Sequence, residues 1–389
     1  MPTPAARTLL FVQPSFNPPG GGNGVAAWML EALSRDYACT LLTHEAPDFD
    51  AINRFYGTAI RGTNIDWRLA APARYAVLKR VPFRIDLLKS SLLFAEATRI
   101  SAGFDAVVTA NNEADLGVPA VQYVHYPSRL YPRPDADLKW FHFRWLVAPY
   151  RALCARIHPA PRVAIARNVT LVNSQWCGAK MREAHGVNSI VAYPPVVWNR
   201  SVEPWHRRDG NFLTIGRLSP EKDFEKVMRI LEQVRTAGHP VRLTIVATPD
   251  VHHAYARRVR AAVAARRDWV SLIESLSRDA LEQLIARHRF GIHGMVEEHF
   301  GMAIAEMSRA GTIVFVHDSG GQPEIVGHDP RLCYTSEDDA AAKIVCVLND
   351  PDQQSALSDH VRSRAEAFNP DRFMQVVRDA VQTLTASTR

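Results

Sequence analysis

Two doubly wound α/β domains are predicted for this chain by its length, by its alternation of short apolar runs with helical-period stretches, and by glycine turns set directly after several of those runs. The 389 residues fit two or three domains, and 47% apolar residues are enough for sizeable cores. Runs rich in β-branched residues mark strands at 8–14, 39–43, 105–109, 120–124, 169–173 and 190–192. A second series follows at 212–216, 241–247, 270–273, 290–293 and 312–316. Amphipathic stretches such as 221–235, 279–287 and 300–310 lie between them. Such alternation builds parallel sheets covered by helices on both faces.

The polar, proline-containing stretch 193–210 separates the two series. The predicted organisation is a first domain over 1–203, a second over 204–369, and a closing segment over 370–389. That segment carries one helix, roughly 371–385, which Asn369-Pro370 sets off and leaves free to pack back on the first domain.

Composition narrows the function classes. Charged residues at 22% without low complexity exclude a disordered chain. The five cysteines are scattered, odd in number and without a Cys-x-x-Cys pair, which points to a reduced, cytosolic chain with no cysteine metal site. No apolar run approaches the roughly 18 residues of a membrane helix, and the N-terminus lacks the apolar core of a signal peptide. The expected location is cytoplasmic, or peripheral at the inner face of a membrane.

The net charge of +6 is uneven. Residues 54–100 carry nine Lys/Arg against three Asp/Glu, and residues 128–168 eight against two. Aromatic residues interleave both stretches, as in Lys139-Trp-Phe-His-Phe-Arg-Trp145. This texture suits an anionic lipid surface or a pyrophosphate-linked acceptor better than nucleic acid, and equally suits ordinary solvated amphipathic helices.

The first strand runs into Gly20-Gly-Gly-Asn-Gly24, with a helix predicted from about Val25. Amides of Gly21 and Gly22 can approach a phosphate without Cβ obstruction, helped by the helix N-terminus; a plain tight turn is the alternative. The dinucleotide-binding fingerprint fits poorly, because the loop is long and proline-bearing.

In the second half, strand 212–216 is followed by Arg217-Leu-Ser-Pro-Glu-Lys222. Cations just past a parallel strand lie where open α/β sheets bind ligands, Arg217 as a planar fork and Lys222 as a mobile point charge. The segment Glu297-Glu-His-Phe-Gly-Met-Ala-Ile-Ala-Glu306 carries the strongest signal. A helix starting near Phe300 would present the amides of Gly301, Met302 and Ala303 to an anion, with Glu298 before it and Glu306 two turns inside. Glu306, set among apolar neighbours, needs hydrogen-bond donors such as ligand hydroxyls. The turn Ser319-Gly-Gly321 follows the next strand at the same predicted sheet edge.

Together Gly216-Arg217 with Lys222, the Glu298 and Glu306 pair and the Ser319-Gly-Gly321 turn resemble the family-four retaining glycosyltransferases of the GT-B fold, over nearly the whole chain from Phe11 to about Phe373. The resemblance is strongest to the α-1,2-mannosyltransferases that extend dolichol-linked oligosaccharides, through Gly20-Gly-Gly, Tyr123-Val-His-Tyr-Pro127, Tyr193-Pro-Pro195, Gly291-Ile-His293 and Glu298-His-Phe-Gly301. Asn23 departs from that pattern where a fourth glycine is expected.

The resemblance implies two Rossmann-like domains facing a central cleft and transfer of a hexose to a hydroxyl. It implies GDP-mannose as donor, with a UDP-sugar as alternative, and no metal or further cofactor. Glu298 would bind the donor sugar, Phe300 to Ala303 the sugar and diphosphate, Glu306 the ribose, and Arg217 and Lys222 the pyrophosphate. Gly21 or Gly22 would approach the phosphates from the first domain, and His125 would sit beside the transferred sugar. The nucleotide base would lie near 273–276. Asp135-Ala-Asp137 imitates a metal-binding triplet but sits in a proline-flanked loop, and is read as a decoy.

The acceptor reads as a glycan, a lipid-linked glycan or a soluble small molecule. Rival readings are a nucleotide-sugar epimerase of the same fold, a nicotinamide-dependent oxidoreductase resting on Gly20–Gly24, and a non-catalytic carbohydrate-binding relative.

Overall fold

A computed structural model describes residues 7–17, 19–81, 85–127, 144–159, 162–198, 200–249 and 253–387. The chain divides into two compact units, one comprising 1–195 with 370–389 and the other 196–369. The division falls between Pro195 and Val196, inside the polar stretch between the two strand series.

The first unit holds seven strands: β1 (Thr8–Val12), β2 (Ala38–Thr43), β3 (Ile65–Leu69), β4 (Ala106–Thr109), β5 (Val121–Val124), β6 (Val169–Val172) and β7 (Ile190–Val191). They pair in parallel in the order β3-β2-β1-β4-β5-β6-β7. Leu9 to Val12 are fully buried, as expected for a strand covered by helices on both faces. The order reverses between β1 and β4, and ligands of open α/β sheets bind beyond the strand ends at such a switch point.

The helix Pro370–Ser387 belongs to this unit. Phe373, Met374, Val377, Ala380, Val381 and Leu384 are buried along one helical stripe. Phe373 meets Tyr123 of β5 edge-on, with ring centroids 6.1 Å apart, and Arg378 reaches Asp36 at 3.5 Å.

The second unit holds β8 (Asp209–Arg217), β9 (Leu243–Thr248), β10 (Val270–Glu274), β11 (His288–Ile292), β12 (Ile313–His317) and β13 (Cys333–Tyr334). These also pair in parallel, in the order β10-β9-β8-β11-β12-β13, with the switch point between β8 and β11. The core here is aromatic. Phe212 stacks on Phe290 at 5.3 Å, and Phe315 lies 6.2 Å from Phe212.

The two-sheet expectation is borne out, and every expected strand is present to within a few residues. Two strands were not anticipated. β3 reads Ile-Asp-Trp-Arg-Leu, a sheet edge with only Ile65 buried, so it carries no apolar run. β13 has two residues and exists only because β12 offers it an edge. Among the described residues, no helix is long and apolar enough to cross a membrane.

Candidate functional site

The second sheet places its chemistry at the C-terminal edge of its switch point. Arg217 is the last residue of β8, and Lys222 ends the short turn Pro220–Lys222 that follows. Glu298 lies in the loop between β11 and the helix Met302–Arg309. Lys222 and Glu298, 76 residues apart in sequence, form a direct ion pair in which only 14% of each side chain is exposed.

His293, just past β11, also bonds Glu298, with Nε2 to Oε2 at 3.1 Å. The buried Tyr334 hydroxyl donates to the His293 carbonyl at 2.6 Å and so anchors this strand end from β13. Burial alone would raise the Glu298 carboxyl, but the Lys222 ammonium and the His293 ring hold it well below the usual carboxylate range. Burial pushes the His293 imidazole down despite the Glu298 carboxylate beside it.

Three histidines of this unit share that direction. His288 and His317 are likewise lowered, first by burial. Below about pH 6.5 the unfolded chain takes up protons that these folded rings resist, so the unfolding free energy falls. Glu298, depressed in the fold, adds a loss below about pH 4.5. The denaturant midpoint of the chain is therefore expected to be lower at pH 5.5 than at pH 7.5, and a flat profile over that range would contradict the burial of neutral imidazoles.

The Glu298 loop is braced by the turn after β12. Ser319 Oγ accepts from the Glu297 amide at 2.8 Å, and the Gly321 amide donates to the Glu298 carbonyl at 2.7 Å. The expectation that Ser319-Gly320-Gly321 reaches the same sheet edge holds, but its polar groups are engaged in positioning Glu298. Gly320 has φ +75°, and a Cβ there would stand 2.3 Å from the Glu298 carbonyl oxygen. Gly320→Ala is therefore expected to cost about 2 kcal/mol or more and to displace Glu298. Thermal denaturation checks the first effect and donor binding the second; an unchanged variant would remove the brace from the site.

Gly301 precedes the helix with φ +110°, and the helix covers Met302–Arg309. The amides of Met302 and Ala303 fall in its first turn, where the helical ladder offers no acceptor, so they carry the positive end of the helix dipole. The Phe300 side chain does not join them. Its ring is 3% exposed and packs edge-on against Phe368 at 5.4 Å, so Phe300 anchors the loop in the core.

Glu306 lies inside this helix, 9% exposed. Its need for donors is met in part by a residue not singled out in the sequence, Arg278 at the start of the helix Arg278–Arg287. Arg278 Nη1 reaches Glu306 Oε1 at 2.5 Å, and its Nε reaches Glu282 at 2.8 Å. Glu306 Oε2 accepts no hydrogen bond among the described residues, which leaves one oxygen for a ligand hydroxyl. Arg217 is fixed by Glu221 at 2.9 Å, an i,i+4 pair that the sequence displays, and its side chain stays 56% exposed.

The first unit presents a second cluster at its own switch point. The helix Gly21–Ser34 begins at Gly21, four residues earlier than expected, because the extended Gly20 serves as its cap. Gly21 and Gly22 are therefore first-turn residues rather than loop residues. The Gly22 backbone packs against the His125 imidazole, where a Cβ would lie 3.4 Å from Nε2, at ordinary contact distance. His125 follows β5, and its Nε2 lies 3.2 Å from the Ala110 carbonyl. Asn112 Oδ1 accepts from the His125 amide at 2.8 Å, and Asn173 Nδ2 donates to its carbonyl at 3.0 Å. The acidic triplet Asp135-Ala-Asp137, with residues 128–143 and 160–161 of the second basic stretch, lies outside the described residues.

His293 is the neighbour of Glu298 easiest to have found, since it directly follows a strand five positions before Glu298. Arg278 gives no such signal: an arginine behind a serine helix cap is commonplace.

Residues 199–364 match the family of glycosyl transferases group 1. A GDP-Man:Man(3)GlcNAc(2)-PP-Dol alpha-1,2-mannosyltransferase of Candida glabrata is 24% identical over 233 residues, which cover 53% of this chain and 44% of that protein. The human protein of the same name is 23% identical, covering 97% of this chain and 87% of that one. The chain thus spans under half of the fungal relative and most of the human one. Among solved structures, sucrose-phosphate synthase from Thermosynechococcus elongatus superposes with a TM-score of 0.69 at 16% identity, over 98% of this chain and 100% of that one. The fold is therefore GT-B.

Proposed function

We propose that this chain, whose residues 199–364 form a glycosyl transferases group 1 domain, is a retaining hexosyltransferase that moves mannose from GDP-mannose to a hydroxyl of a lipid-linked glycan. The observation that carries the reading is the Lys222–Glu298–His293 cluster at the β8/β11 switch point, beside the open first turn of the helix Met302–Arg309. The names of the curated relatives supply the donor and the acceptor class.

Breaking a sugar–phosphate bond builds negative charge on the leaving diphosphate and positive character on the sugar carbon. Lys222, Arg217 and the amides of Met302 and Ala303 are assigned to the departing diphosphate, and Glu298 to the sugar hydroxyls. Glu306, held by Arg278, takes the ribose. The acceptor oxygen bonds to the sugar carbon on the face the phosphate leaves, and the acceptor's proton passes to the departing phosphate oxygen.

An anionic membrane surface is the proposed location of the acceptor. The edge strand β3 supports it, since Trp67 and Leu69 are 46% and 40% exposed on either side of Arg68.

A thermal-shift panel of GDP-mannose, GDP, UDP-glucose and UDP tests the donor, with GDP-mannose and GDP expected to raise Tm most. A transfer assay with a mannosylated, diphosphate-linked lipid then tests the acceptor. A panel in which only the uridine nucleotides stabilise would overturn the donor assignment; no response to any nucleotide would overturn the reading itself.

A further inference from the structure

The edge of the second sheet opposite the Lys222–Glu298 cluster carries a cavity of about 440 Å³. Arg208, which lines it, immediately precedes β8, whereas Arg217 ends that strand. Nine residues of strand put the two on the order of 25 Å apart.

Arg208 is 4% exposed. Its Nε donates to the Glu203 carbonyl at 2.7 Å and its Nη1 to the Ala310 carbonyl at 2.9 Å. Its Nη2 has no acceptor and its charge no carboxylate partner among the described residues. Ala310 ends the helix whose first turn faces the Lys222–Glu298 cluster, so one N–H of Arg208 answers the negative end of that helix. The Glu203 carboxylate offsets part of the remaining charge.

More positive charge surrounds it. Arg208 and Arg289 lie 5.5 Å and 5.6 Å from the Trp205 ring, and Arg289 bonds the carbonyls of Trp205 and His206. Arg362 lines the cavity from the helix Pro351–Ala365, next to Ser355 and Ser358. A Cβ at Gly311, whose φ is +74°, would stand 2.6 Å from Arg362 Nη2, so a glycine lets that guanidinium lie against the floor. Two carboxylates also line the cavity. Glu203 is exposed, and Asp359 pairs with Arg362 at 3.5 Å from a side chain 75% exposed. Burial first, then Arg362 and Arg289, push the Arg208 guanidinium down to about 10, against the opposing pull of Glu203.

We propose that this cavity binds a phosphate dianion, free or carried by a sugar phosphate, between Arg208 and Arg362. A forked guanidinium with an open amino group, a second guanidinium and a nearby serine hydroxyl match three phosphate oxygens. The cavity also has room for an attached hexose. The site is separate from the diphosphate site and does not rest on the transferase reading.

The test is isothermal titration of the full chain with inorganic phosphate and with a hexose 6-phosphate, in the wild type, Lys222→Ala and Arg362→Gln. Arg362 is exposed, so its variant keeps the fold even where Arg208→Gln does not. Saturable binding is expected in the wild type and in Lys222→Ala, weakened about tenfold or more in Arg362→Gln. Tighter binding of the hexose phosphate identifies a phosphosugar; equal affinities identify phosphate alone as what the cavity reads. Absence of saturable binding, or binding lost in Lys222→Ala and intact in Arg362→Gln, overturns the proposal.

Discussion

Glu298→Gln is expected to lower the rate of sugar transfer by a factor of a hundred to a thousand or more while the chain still folds. The substitution keeps the shape of the side chain and an oxygen for Lys222 and His293, so the loop between β11 and the following helix retains its contacts. What disappears is the negative charge that holds the Lys222 ammonium in place and, in the proposed mechanism, strengthens hydrogen bonds to the donor sugar as positive charge develops on it. Preorganised electrostatic contacts of this kind are each worth about 3–4 kcal/mol in the transition state, which is the expected factor. Steady-state transfer measured beside circular dichroism and donor binding separates the effects. Near-wild-type turnover, with the fold intact, would remove Glu298 from the chemistry.

Lys222→Ala is expected to be as damaging to transfer and worse for stability. Removing the ammonium strips the proposed diphosphate site of its mobile cation and leaves Glu298 nearly buried with only a neutral imidazole beside it. Breaking one partner of a buried pair costs about 3–5 kcal/mol, more than the pair contributes when intact, because the orphaned charge must be desolvated alone. The two substitutions should therefore not add. The double variant Lys222→Ala/Glu298→Gln is expected to be more stable than Lys222→Ala alone, since the orphaned charge is gone, although it transfers no sugar. Denaturant unfolding of all four proteins closes the cycle, and strictly additive losses would show that the pair is not coupled.

How much of this was legible beforehand depended on the distance over which each signal acts. The β1, β8 and β12 runs declared themselves because a parallel strand buried on both faces must be continuously apolar. Edge strand β3, with one buried residue in five, could not. The helix Pro370–Ser387 was readable from its period and from the proline that opens it, and its return to the first unit was anticipated, but the residues it meets there were not.

The same division holds at the site. Arg217, Lys222, Glu298, Gly301 and Glu306 could be proposed from the sequence because strand-end cations and a glycine-led helix start are local patterns. The roles of their neighbours could not. Phe300 looked like part of a ligand-binding turn and is core, because its ring meets Phe368, 68 residues away. Ser319-Gly320-Gly321 was expected at the same sheet edge and lies there, but its role as a brace for the Glu298 loop was not legible.

Sequence alone determined two parallel α/β units, and it placed Arg217, Lys222, Glu298 and the Ser319-Gly320-Gly321 turn at one edge of the second sheet, since apolar period and glycine placement are local properties of the chain. Only the tertiary structure decided that Lys222 and Glu298 touch, that Arg278 holds Glu306, and that Arg208, Arg289 and Arg362 gather at the opposite edge. Those are contacts between segments 28 to 102 residues apart, brought together by strand order, and strand order is set by how the whole sheet buries its faces.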